Sequence, residues 1–128
     1  MEIKDYITGI QHVGIPTNDI EETIRFYEKL GFEPVYRTVN GTEKVAFLQL
    51  HNLVIETYQN GCATLKSGAI DHIALDVKNI DKVFELAKGL EAEFADTKVM
   101  GLPFWKNGVK FFTILGPNKE RVEFCEKL

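Results

Sequence analysis

The apolar positions of this chain change period twice, from strand-like to helical and back, and then repeat the sequence of changes. Residues 10–16, IQHVGIP, form a short apolar run rich in β-branched side chains, the mark of a strand. From Asp19 onward Ile20, Ile24, Tyr27 and Leu30 recur at three- and four-residue spacing with Phe26 beside them, which predicts an amphipathic helix. Asp19 is placed as its N-cap with Glu22 three residues on, and Gly31 as its left-handed terminator. Strand-like runs follow at 32–39, 44–50 and 53–59, separated by the turn signals NGTE and HN.

The second half repeats the order. AIDHIALDV (69–77) reads as a strand, and NIDKVFELAKG (79–89) as a helix capped by Asn79. A weak strand is expected around Glu93–Phe94, then strands at 109–115 and 120–127 joined by a turn at GPN. His12 corresponds to His72 and Ile20 to Ile80, both by a shift of 60, while Ile55–Glu56 matches Val122–Glu123. Such self-similarity is the signature of an internal duplication. The expectation is an α+β fold of two βαβββ modules, residues 1–64 and 65–128, with NGCATLKSG (60–68) as the hinge, together making one domain.

Composition narrows the function classes. A chain of 128 residues with net charge -4 and no basic stripe does not suit nucleic acid or an anionic membrane. No apolar run reaches the ~18 residues that a membrane span needs. The polar start MEIKDYITG does not resemble a secretory signal. Cys62 and Cys125 stand far apart without a CxxC spacing, which reads as two free thiols in a reducing compartment. A cytoplasmic protein with a small-molecule substrate is expected.

The repeat also carries the candidate chemistry. Each module offers a histidine at its first strand and a glutamate on its last: His12 and Glu56, then His72 and Glu123. Taken singly, each histidine reads as a hydrogen-bonded strand residue and each glutamate as a solvent-facing one. Together, at repeat-equivalent positions and with both glutamates inside apolar runs where an unpaired carboxylate is costly, they read as a mixed N/O metal site. That donor set suits Ni, Co, Zn, Mn or Fe(II). Gly14 and Ala74 lie two residues beyond the histidines and share their faces; their small size predicts room for water or substrate. His51 lacks a repeat partner and reads as surface.

These stretches, HVGIPTNDIEETIRFYEKLGFE, LVIETYQ, IDHIALDV and GPNKERVEF, resemble the vicinal oxygen chelate superfamily, which includes glyoxalase I, extradiol dioxygenases, bleomycin and fosfomycin resistance proteins and methylmalonyl-CoA epimerase. The resemblance covers essentially the whole chain. It implies a curled mixed sheet around a metal cleft and a homodimer. All four ligand positions of glyoxalase I (lactoylglutathione lyase) are kept, in His12, Glu56, His72 and Glu123, and Asn60 matches a position that holds glutathione. Pro16 departs from the pattern, standing where glyoxalase I has an arginine that grips a glutathione carboxylate.

The implied reaction is metal-assisted isomerisation of a 2-oxoaldehyde thiohemiacetal to a 2-hydroxyacyl thioester through an enediolate, with Glu56 or Glu123 as general base. Two alternatives stand beside it. One is an epimerase or isomerase of the methylmalonyl-CoA epimerase kind, with Glu43 as a second base. The other is a metal-free module that sequesters a small planar molecule, as resistance proteins do. The segment MGLPFWKNG (100–108) reads either as a lid, with Trp105 and Lys106 meeting the substrate, or as a hairpin loop packed on the sheet rim.

Overall fold

The computed structural model describes residues 2–128, and the chain divides into two compact units, Met1–Ala63 and Thr64–Leu128. In the first, β1 (Val13–Thr17), α1 (Ile20–Lys29), β2 (Glu33–Asn40), β3 (Glu43–Leu50) and β4 (Leu53–Gln59) build a four-stranded sheet of order β1-β4-β3-β2. β1 and β4 run parallel and the other pairs antiparallel. The helix forms where the apolar period predicted it. Asp19 accepts from the Glu22 N–H at 3.1 Å, and Gly31, at φ +105°, ends it with its N–H bonded to the Glu28 carbonyl.

Ile20, Ile24 and Tyr27 of α1 are buried, as are Ile15, Ala46, Leu48 and Ile55, which share the helix-facing side of the sheet. Under that layer the hydroxyls of Thr17 and Thr23 share a 2.8 Å hydrogen bond, so two buried polar groups satisfy each other. β2 is exposed along its whole length and is kinked by a register shift between Pro34 and Tyr36.

The second unit repeats this plan with one change. β5 (His72–Asp76), α2 (Ile80–Ala87), β6 (Glu93–Phe94), β7 (Met100–Leu102), β8 (Val109–Leu115) and β9 (Arg121–Lys127) give the order β5-β9-β8-β6, with β7 also on β8. β5 and β9 are parallel. The long β2 of the first unit is here divided into β6 and β7, which pair with the two ends of β8. The core is aromatic: Phe112 is fully buried, stacks on Phe124 and Phe94, and meets Phe84 of α2 edge-on. Rings in such offset and T-shaped pairs add to what their buried area contributes.

Two expectations are corrected here. The second helix was expected to run to Gly89; it instead tightens into a 3-10 turn at Lys88–Leu90, and Glu91 takes the left-handed position at φ 58°. Residues 100–102, expected as loop, are a strand hydrogen-bonded to residues 109–111, so the 100–108 segment is a hairpin arm. The architecture is α+β, with two open mixed sheets and few helices. Among the described residues no helix is long and apolar enough to cross a membrane.

Candidate metal centre

Residues opposite one another in neighbouring strands share a face. In the first unit Gly14, Glu56, Phe47 and Tyr36 form one such row, on the side of the sheet away from α1. His12 stands one residue ahead of β1, not within the strand as its apolar context predicted, because pairing begins only at Val13 opposite Ile55. Its Nε2 lies 3.5 Å from Glu56 Oε1, and its ring meets Phe47 edge-on at 5.7 Å. Gln11 Oε1 sits 2.9 Å from the other ring nitrogen, Nδ1.

The second unit builds the same pair. Ala74, Glu123 and Thr113 form the equivalent row on the side away from α2. His72 opens β5, and its Nε2 lies 3.9 Å from Glu123 Oε1. Its Nδ1 is 2.9 Å from Asp71 Oδ2, and Arg121 Nε stands 3.5 Å from the same oxygen. The hydrogen bond with His72 holds the Asp71 carboxyl below the usual aspartate range, against an opposing effect of desolvation and with help from the Arg121 charge.

These separations suit donors to one ion. Ligands about 2.1 Å from a tetrahedral centre stand roughly 3.4 Å apart, close to the 3.5 Å and 3.9 Å observed. Each pair faces through one imidazole nitrogen and one carboxylate oxygen while the remaining Nδ1 is held by a neighbour, the usual arrangement of a metal-binding histidine. Each unit places one histidine beside one glutamate; among the described residues no group of three or more His, Cys, Asp or Glu converges.

Gly14 and Ala74 are both exposed. A β-carbon at Gly14 would make ordinary van der Waals contact with the ring of Tyr58, two residues after Glu56, at 3.5 Å. The remaining candidates make contacts of their own. Asn60 Oδ1 accepts from the Cys62 N–H at 2.9 Å, closing its own turn. Trp105, at φ 61° and 71 % exposed, caps the hairpin arm with Lys127 Nζ 4.1 Å above its ring. Lys106 and Trp105 line an open groove of about 530 Å³ on that arm. Glu43 heads β3 opposite Asn40. His51 is exposed in its turn.

Sequence reasoning missed Gln11, Asp71, Arg121, Phe47 and Tyr58. A signal existed for the first two: each candidate histidine is immediately preceded by a residue whose side chain can accept a hydrogen bond. Cys125, on the same face as Glu123, has its thiol pushed up by burial and then by the nearby Glu123 and Asp76 charges.

A strand–helix–three-strand module, built twice with a His–Glu pair on the open face of each sheet, defines the class of protein. The chain belongs to the Glyoxalase/Bleomycin resistance protein/Dioxygenase superfamily, whose pattern matches residues 9–124. It is similar to the uncharacterized protein YwbC of Bacillus subtilis (strain 168), with 34% identity over 125 residues that cover 92% of this chain and 97% of that protein. In fold it resembles a glyoxalase family protein from Enterococcus faecalis, with a TM-score of 0.79, 22% identity and coverage of 94% and 99% of the two chains. It also resembles the fosfomycin resistance protein FosX of Listeria monocytogenes complexed with Mn(II) and sulfate, with a TM-score of 0.71, 18% identity and coverage of 95% and 94%.

Proposed function

We propose that this chain is a metal-dependent glyoxalase I-like enzyme that isomerises a 2-oxoaldehyde thiohemiacetal to a 2-hydroxyacyl thioester. Its metal donors are His12, Glu56, His72 and Glu123. The observation that supports this is the duplicated pair geometry, with imidazole and carboxylate facing one another at 3.5 Å in one unit and 3.9 Å in the other. Members of this superfamily bind divalent metals, as FosX does with Mn(II).

A bound Ni, Co, Zn, Mn or Fe ion would act as a Lewis acid toward two vicinal substrate oxygens. The chain's own residues carry the rest. Glu56 or Glu123 takes the proton from the substrate's carbinol carbon and returns it to the adjacent carbonyl carbon, while the carbinol hydroxyl's proton passes to the former carbonyl oxygen, so no oxidant or reductant is consumed. Gln11 and Asp71 stand 2.9 Å from the Nδ1 atoms of the two histidines. Asn60, Trp105 and Lys106 serve as substrate-binding residues, with Lys106 meeting an anionic group. The enzyme works as a cytoplasmic homodimer.

Pro16 favours a second reading. Without a cation there, a glutathione carboxylate loses its grip, and the same proton shuttle would serve an epimerase or isomerase whose substrate needs no thiol cofactor. The test is elemental analysis of the wild type and of His72→Ala purified without added metal. About one transition metal per wild-type chain, lost in the variant, supports the reading and makes turnover of methylglyoxal–thiol adducts the next assay. A wild type that refuses Ni, Co, Zn and Mn overturns it.

A further inference from the structure

The two halves of the donor set are backed unequally. Behind His72 stands a carboxylate, Asp71 Oδ2, 2.9 Å from Nδ1, and behind that carboxylate stands Arg121 Nε at 3.5 Å. Arg121 lies directly opposite His72 in the β5–β9 register, so the strand pairing itself brings the cation beside the aspartate. The Arg121 Nε is buried and makes no hydrogen bond in the structure; the Asp71 carboxylate is its ion-pair partner. Ser67 Oγ donates to the Asp71 carbonyl at 3.4 Å, tying down the backbone of the same residue.

The first unit has none of this reinforcement. Behind His12 stands the neutral amide of Gln11. The glutamates set the equivalence between the units: Val54 stands two residues before Glu56 as Arg121 stands two before Glu123. An apolar side chain therefore sits where the second unit has its cation.

Resting on the metal-centre reading above, we infer that Asp71, braced by Arg121, is a positioning residue that fixes His72 with its proton on Nδ1 and its Nε2 lone pair toward Glu123. The second unit is therefore the firmer half of the donor set. A hydrogen bond to one ring nitrogen decides which nitrogen keeps the proton, and loss of such a partner commonly weakens metal affinity about 10- to 100-fold.

The experiment has two readouts. In the metal-free protein, nitrogen chemical shifts of the imidazoles at a pH where they are neutral report the tautomer directly. Zn(II) affinity is read by competition with a chromophoric chelator. Asp71→Ala should give a mixed His72 tautomer and about a 10- to 100-fold loss of affinity. Asp71→Asn, which can still accept from Nδ1, should restore the tautomer and most of the affinity. Arg121→Val, which copies Val54, should fall between the wild type and Asp71→Ala, and Gln11→Ala should lose less than Asp71→Ala. A folded Asp71→Ala variant with wild-type tautomer and affinity overturns the inference while leaving the metal centre standing. A wild type that refuses metal overturns the proposed function and the affinity order with it. Asp71 is exposed, and circular dichroism of each variant shows that the fold is kept.

Discussion

Glu126→Ala should destabilise the second unit through the start of α2. Glu126 Oε1 accepts from the Ile80 N–H at 2.9 Å, while Asn79 Oδ1 accepts from the Lys82 N–H at 3.3 Å. The first turn of a helix leaves its N–H groups without helical partners, and these two side chains satisfy two of them. Ile80 is 2 % exposed, so water does not readily replace the lost acceptor. A buried donor left unsatisfied costs about 1–3 kcal/mol, and removing a carboxylate from a helix N-terminus costs about 0.3–1 kcal/mol more. Together these give about 1–4 kcal/mol. Glu126→Gln keeps the acceptor and loses the charge alone, at about 0.3–1 kcal/mol. That substitution reproduces the first unit, where Gln59 Oε1 accepts from the Ile20 N–H at 2.9 Å. Urea unfolding measures both. A Glu126→Ala change below about 0.5 kcal/mol, or a Glu126→Gln variant as unstable as Glu126→Ala, would refute the reasoning.

Further outcomes are expected elsewhere. Phe112→Ala empties the middle of the aromatic core and should cost about 3–5 kcal/mol in the same unfolding assay. Gly116→Ala pushes aside the flexible end of the Glu120 side chain, whose carboxylate accepts from the Asn118 N–H; the loss expected is that of one hydrogen bond, about 0.5–1.5 kcal/mol, and Gly116→Ala should cost less when Glu120 is already Ala. Cys62 is exposed while Cys125 is half-buried with its thiol pushed up. A thiol-reactive dye near neutral pH should label Cys62 first and Cys125 only slowly, because the raised thiol yields less thiolate. Equal rates at both would contradict this.

The fold was legible because hydrophobic period, caps and turns agreed. Asp19 and Asn79 cap the helices they were expected to cap, and the repeat set the order of strands. The second unit's edge was harder to read. β7 is only three residues long and carries Gly101, too little for an alternation to register, and its pairing depends on β8 across the hairpin arm. The left-handed residue after α2 is Glu91, not a glycine, so composition held no sign of it. The structure sets His12 beside Glu56 and His72 beside Glu123, and these four candidate donors were picked out by the repeat. Their backing was not, since Arg121 reaches Asp71 only through the parallel register of β5 with β9, a non-local pairing that no local pattern encodes.

The spacing on β4 and β9 explains how one strand serves both helix and site. Glu56 and Gln59 are three apart, as are Glu123 and Glu126, and an odd separation along a strand puts two side chains on opposite faces. Gln59 and Glu126 turn toward the helices and fasten their first turns. Glu56 and Glu123 turn the other way and face the histidines. A one-residue slip in register would exchange the two faces, costing the helix its acceptor and the site its carboxylate at once. The carboxylate of Glu126 is accounted for by a structural hydrogen bond. Glu123, 18 % exposed at its side chain, is a half-buried carboxylate that faces the His72 imidazole at 3.9 Å. A cation shared between them would satisfy both groups, and the same reasoning applies to Glu56 and His12 in the first unit.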